Sequence, residues 1–144
     1  MRRGVEAYYL AEHAAGRPVL RTPEDADSLV DALVAAPASR NLAELHSLDR
    51  PLLPSGFPDH ELLVGVDGNL GVGVLEFMDA RGNFVSFNPE GGRKDIVYAI
   101  AGNLTEFPDS SEIAVELVRQ AIKEFLDSGG LRPECVQWKE PDFW

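Results

Sequence analysis

The sequence has a single cysteine, Cys135, among 144 residues, so no internal disulfide can staple it and nothing in it points to an oxidising compartment. Basic residues are scarce as well: 13 Lys and Arg stand against 24 Asp and Glu, a net charge of -11. Binding nucleic acid through its phosphates needs clustered Lys and Arg, so direct nucleic-acid binding is not expected. A basic protein partner suits the charge better, although plain solubility accounts for it equally well. No apolar run reaches transmembrane length, and no signal-peptide core follows Arg2 and Arg3 before Glu12 and His13. The expectation is a cytoplasmic protein with no membrane partner. Histidines number three, His13, His46 and His60; they stand far apart, and no Cys/His spacing matches a zinc motif. Neither a metal nor a cofactor is expected.

What is present fits a globular protein, with 44% hydrophobic and 26% charged residues. A chain of this length buries roughly 70% of the surface its unfolded form exposes, enough for one core. Residues 1–144 are expected to form one domain, with no internal repeat and no linker.

"VEAYYL" (5–10) and "PVLR" (18–21) read as short strands. The clearest helix start follows, where Thr22 caps, Pro23 takes the first position and Glu24 and Asp25 complement the dipole. Ala26, Leu29, Val30, Leu33 and Val34 recur at helical spacing until Pro37. "NLAELHSL" (41–48) reads as a strand, with a short helix as the alternative. Residues 61–77 read as a hairpin turning at Asp67, Gly68 and Asn69. A two-residue turn would set Glu61 opposite Glu76, whereas an odd-length turn would gather the valines on one face, and the sequence leaves both open. "NFVSF" (83–87) and "DIVYAIAG" (95–102) extend the pattern to four consecutive strands, an antiparallel meander. A second amphipathic helix then presents Ile113, Leu117, Val118, Ala121, Ile122 and Phe125 on one stripe, capped by Asp109 or Ser110 and stopped by Gly129 or Gly130. "ECVQW" (134–138) reads as a closing strand. The class is α+β: a mostly antiparallel sheet of about six strands with two amphipathic helices packed on it.

No catalytic constellation emerges. Asp59, His60 and Glu61 are adjacent, but neighbours in an extended segment point to opposite sides and do not converge on one substrate atom. "GVDGNLGVGV" lacks the Lys-Ser/Thr pair of a phosphate loop and precedes a strand. Ser55 is not on a nucleophile elbow, and Cys135, between apolar and polar neighbours, reads as core packing rather than a nucleophile. Phe143 and Trp144 are expected to fold back onto the core.

The stretches "EAYYLAEH", "TPEDADSLVDALV", "HELLVGVDGNLGVGVLEF", "DIVYAIAGNLTEFPDSSEI" and above all "VELVRQAIKEFLDSGGLRPECVQW" together resemble immunity family one, the immunity proteins of bacterial polymorphic toxin systems often paired with deaminase toxins. The resemblance runs from about Glu6 to Trp138 and is most specific where helix, Gly-Gly, Arg-Pro and Val136-Gln137-Trp138 follow in order. One departure is Ala114, where many members carry proline. The resemblance implies a non-enzymatic inhibitor that binds a cognate toxin, often similar to a zinc-dependent nucleic-acid deaminase, and blocks its active site or substrate groove. A basic toxin would be drawn to this acidic chain. Loop positions outside the helices are then the expected toxin contacts: Phe57, Asp59 and His60, with Glu90, Glu106 and Asp109. The free protein is expected to be a monomer or a homodimer. A small enzyme built on His60 or Cys135, or an interaction module unrelated to toxins, is the alternative reading.

Overall fold

Thr22 opens the first helix as its sequence demands. In the computed structural model, which describes residues 2–141 and residue 143, its hydroxyl accepts the Asp25 N–H at 3.1 Å while Asp25 Oδ2 accepts the Thr22 N–H at 3.1 Å. This reciprocal cap starts α1 (Pro23–Ala35) with Pro23 in the first turn. Ahead of it lie β1 (Val5–Tyr8) and β2 (Val19–Leu20); behind it come β3 (Leu42–Ser47), β4 (Glu61–Asp67), β5 (Val72–Asp79) and β6 (Gly82–Ser86). The stretch 41–48 thus holds a strand, Leu42–Ser47, and not a helix.

β7 (Ile96–Ile100) and β8 (Asn103–Phe107) pair only with each other among the described residues. β9 (Ile113–Ala114) leads directly into α2 (Val115–Ser128), and β10 (Trp138–Lys139) is the last strand among the described residues. The main sheet runs β10-β6-β5-β4-β3-β1-β2, with β9 paired to β5, and every pairing is antiparallel. The α+β class stands, with more strands than the six expected.

The two faces of this sheet differ. Leu45, Leu62, Val64, Val66, Leu75 and Phe77 point toward both helices and pack on Leu29, Val30 and Leu33 of α1 and Val118, Ile122 and Phe125 of α2. On the other face Leu42, Val74 and Val85 are covered by Ile96, Tyr98 and Phe107 of the β7–β8 hairpin. The β4–β5 turn settles which residues go where: Asp67 pairs with Val72, so four residues, 68–71, form the connection. Glu61 therefore faces Met78 and Leu63 faces Glu76. The two glutamates share a face diagonally rather than directly.

Four expectations need correcting. The strand at 95–102 does not extend the meander. Positive φ at Gly91, Gly92 and Asp95 lifts the chain off the edge and lays it over the sheet, where the Ala99 N–H meets Asn41 Oδ1 at 3.0 Å. Secondly, α2 begins at Val115 rather than after an Asp109 or Ser110 cap. Ser110 takes φ 65, Ser111 is held by Pro108 and Ser86, and Ile113 and Ala114 bond to β5; the chain stays extended until those partners are satisfied. Ala114 has φ -59, an angle proline also adopts, so the departure noted there leaves the backbone unchanged. Thirdly, of "ECVQW" only Trp138 is in a strand. Cys135 sits in a bend, where Glu124 Oε1 accepts the Glu134 and Cys135 N–H groups at 2.9 and 3.2 Å. Fourthly, His60 is buried, as described below. Phe143 lines a cleft with Ile96, Val97 and Phe107, while Trp144 lies outside the described residues.

The end of α2 matches its sequence. Gly129 takes φ 75 and Gly130 φ 97, and the Gly130 N–H returns to Phe125 O at 3.0 Å, a glycine stop for the helix. Trp138 donates its indole N–H to Pro133 O at 2.8 Å.

Candidate protein-binding surface

Strand alternation places every second residue on the face away from the helices. On β1 these are Glu6 and Tyr8, on β3 Glu44 and His46, on β4 Glu61 and Leu63, on β5 Glu76 and Met78, and on β6 Asn83 and Val85. Their neighbours fix this assignment: Glu6 pairs with His46, Tyr8 with Glu44, Glu44 with Leu63, Leu63 with Glu76, and Met78 with Asn83. The β7–β8 hairpin covers the Leu42–Val74 end of this face. At the other end lie four carboxylates.

Charge compensation there is thin. Arg17 lies 4.0 Å from Glu6 and 3.7 Å from Glu44, and His46 Nε2 is 3.6 Å from Glu44. Ligand atoms of Glu44, His46 and Glu61 all fall within 4.8 Å of one another. Burial first, and then the neighbouring Glu44 with which it shares a hydrogen bond, pushes Glu61 up to about 7. Burial, reinforced by Glu61 and Glu44, pushes Glu76 up to about 8. Burial also holds His46 down to about 4 despite the pull of Glu44, leaving it neutral at physiological pH. The group could grip a cation, since a positive charge placed among like charges relieves their mutual repulsion.

The loop between β3 and β4 flanks the same end of the sheet. Its tip is closed by a Leu53 N–H to Phe57 O bond and a Gly56 N–H to Leu53 O bond, both 2.8 Å, and by a bridge between Leu52 and Pro58. It exposes Leu52, Leu53 and Phe57, the last at 70%. A backbone-locked tip bearing apolar side chains makes a ready anchor for a partner.

The six residues picked from the sequence part into different settings. Phe57 is exposed at the tip. Asp59 is half-buried, its carboxylate gripped by Arg50 Nε at 3.0 Å and by His60 Nδ1 at 2.9 Å. Burial works to raise Asp59, but these bonds outweigh it and hold its acid below the usual range. His60, expected on an exposed loop, is only 4% exposed. Its Nε2 accepts the Ser47 N–H at 2.7 Å, its ring lies 5.8 Å from that of Phe125, and burial depresses its basicity. It ties the loop to β3 and has no face to offer a partner. Glu90 is exposed in the turn where its N–H meets Asn88 Oδ1 at 3.0 Å. Glu106 and Asp109 are exposed around the cleft that Phe143 lines, and Asp109 O accepts from Lys139 Nζ at 3.0 Å. The hairpin that carries Glu106 is pinned at Asn41, whereas the Phe57 loop leaves the opposite end of β3.

Glu44, His46, Glu61 and Glu76 are not among the toxin contacts expected from the sequence, although one hairpin register sets Glu61 opposite Glu76. The signal for them was a carboxylate at alternate strand positions, but it becomes a cluster only when β3, β4 and β5 are set in register. Cys135 is poorly placed for chemistry: burial, then Glu124, pushes its thiol up to about 12.

No helix among the described residues is long and apolar enough to cross a membrane. No curated protein matches the chain. Residues 14–140 match the family described as immunity protein Imm1, a span that holds β2 to β10, both helices, and Glu44, Glu61 and Glu76. With nearly its whole length covered by that match, the chain belongs to the Imm1 family of immunity proteins.

Proposed function

We propose that this protein neutralises a cognate toxin of a bacterial polymorphic toxin system in the cytoplasm of the producing cell, by binding it and covering its active site or substrate groove rather than by catalysis. The toxin is a basic, nucleic-acid-acting protein, in the first instance a deaminase, which must admit a base into its pocket and therefore presents cationic surface. The observation that carries this reading is the under-compensated acidic face at Glu44, Glu61 and Glu76 in a member of an immunity family. Complementary charge speeds association, which matters when free toxin is lethal. Phe57 supplies an apolar anchor beside that face, and Asp59, Glu90, Glu106 and Asp109 are outlying acidic contacts.

Co-expression with the toxin domain encoded immediately upstream tests the proposal. Restored growth and co-elution of the two proteins on size-exclusion chromatography are expected. Growth arrest with no complex would end this reading.

A further inference from the structure

Three buried polar atoms without a hydrogen-bond partner belong to the acidic face: His46 Nδ1, Glu76 Oε1 and Asn83 Oδ1. Glu76 and His46 are 4% and 7% exposed. Asn83 Oδ1 can only accept, and both oxygens of Glu76 accept once it is ionised, so an N–H donor entering here finds partners that the described residues leave unpaired. Opposing the carboxylates of Glu6, Glu44, Glu61 and Glu76 is Arg17, which reaches Glu6 and Glu44.

Resting on the toxin-binding reading, we propose that this face takes an arginine side chain of the toxin, seated between Glu44 and Glu61 above Glu76. A guanidinium brings five N–H donors and no acceptor, keeps its charge in a buried site and pairs bidentately with carboxylates. Lysine offers a single point charge. Ligand atoms of Glu44 and Glu61 lie within 4.8 Å of each other, close enough for two N–H groups of one planar fork, and Glu76 stands on β5, the strand next to Glu61 on β4. Leu63 and the 41%-exposed Met78 supply apolar surface for the arginine stem, as long cationic side chains require, while the Tyr8 ring already carries Arg17 at 5.2 Å.

Entry of the guanidinium displaces protons. Near neutral pH burial, and then Glu44, favours a proton on Glu61, and burial, and then Glu61 and Glu44, favours one on Glu76; the groups facing them are Glu44 and His46 of β3, Glu6 of β1 and Arg17. Each carboxyl that pairs with the arginine passes its proton to the buffer, so the complex forms with net proton release.

The test compares wild-type protein with the Glu61→Gln/Glu76→Gln double variant, using the toxin domain encoded beside the gene. Glu116→Gln/Asp127→Asn, on the exposed surface of α2, is the charge-matched control. Gln keeps the shape of a protonated Glu, and thermal unfolding verifies that each variant folds. At least about thirtyfold weaker binding by the double variant is expected, against less than about threefold for the control. Calorimetry in phosphate and in Tris should show proton release at pH 7 for wild type and little for the double variant. A double variant that binds like wild type, or no difference in proton release, overturns the arginine site and leaves toxin neutralisation standing. A complex that needs zinc and dissolves in EDTA overturns it in favour of a metal ion. If the wild type itself forms no complex, the toxin reading falls and takes this partner with it.

Discussion

The ring of Tyr98 lies against Gly65: a Cβ on that glycine would stand 2.6 Å from Tyr98 Cδ2. Here the β7–β8 hairpin meets the main sheet, and the contact is possible only because β4 has no side chain at this point. The Tyr98 hydroxyl donates to Glu112 Oε2 at 2.6 Å, and Arg93 holds the same carboxylate through Nε at 2.6 Å and Nη2 at 2.8 Å. Ring and hydroxyl together fasten the hairpin over one end of the face and leave the other end open.

Gly65→Ala therefore forces the tyrosine ring off the sheet. Overpacking of this kind costs about 1–3 kcal/mol, read as a lower urea midpoint with an unchanged slope. A midpoint equal to wild type would show that the hairpin has room to give.

Tyr98→Phe keeps the ring on Gly65 and removes only the hydroxyl. A hydrogen bond to a charged group is worth about 1.5–3 kcal/mol, so the variant should lose that much in equilibrium unfolding at pH 7. A loss under about 0.5 kcal/mol would mean that Arg93 alone satisfies Glu112.

Stability should fall as pH rises through the neutral range. Glu61 and Glu76 have folded values of about 7 and about 8, above the ordinary 4.5. Their contribution is complete below pH 4.5 and is lost as pH climbs through 7 and 8. His46, held at about 4, acts oppositely and weakens the fold as pH drops below 6.5. Glu76→Gln isolates the first effect, because both proteins carry the histidine. The variant should exceed wild type by about 1 kcal/mol or more at pH 8.5, one pKa unit being about 1.4 kcal/mol, with the gap closing toward pH 4.5. A gap that does not vary with pH would show that Glu76 titrates normally.

Cys135 should be sluggish toward alkylation. With its thiol pushed up to about 12, the thiolate fraction at pH 8 is tiny, and iodoacetamide should react on the order of a hundredfold more slowly with folded than with urea-unfolded protein. Comparable rates would point instead to an activated thiol.

Phe57→Ala separates binding from folding. An exposed side chain on a loop closed by backbone bonds should change unfolding free energy by less than about 0.5 kcal/mol, yet weaken toxin binding by about 1–2 kcal/mol if it is an anchor. Equal affinity for variant and wild type would remove the loop from the interface.

The sequence by itself determined the local decisions. Thr22 and Pro23 start α1, Gly129 stops α2, and the alternation of apolar residues along β4 and β5 produces a sheet with a helix-facing side, because capping, positive φ and strand periodicity depend on nearest neighbours. Its overall pattern also carried the family. Tertiary structure decided what depends on distant residues. Ser86, Ser111 and the β5 edge delay α2 until Val115, Asn41 and Gly65 draw the β7–β8 hairpin across the sheet, and Ser47 and Asp59 bury His60. The acidic face is of the same kind. Glu44, Glu61 and Glu76 are single residues on three strands, and only a four-residue turn and the β3–β4 register, set by packing of the opposite face against the helices, bring their carboxyls together on one face.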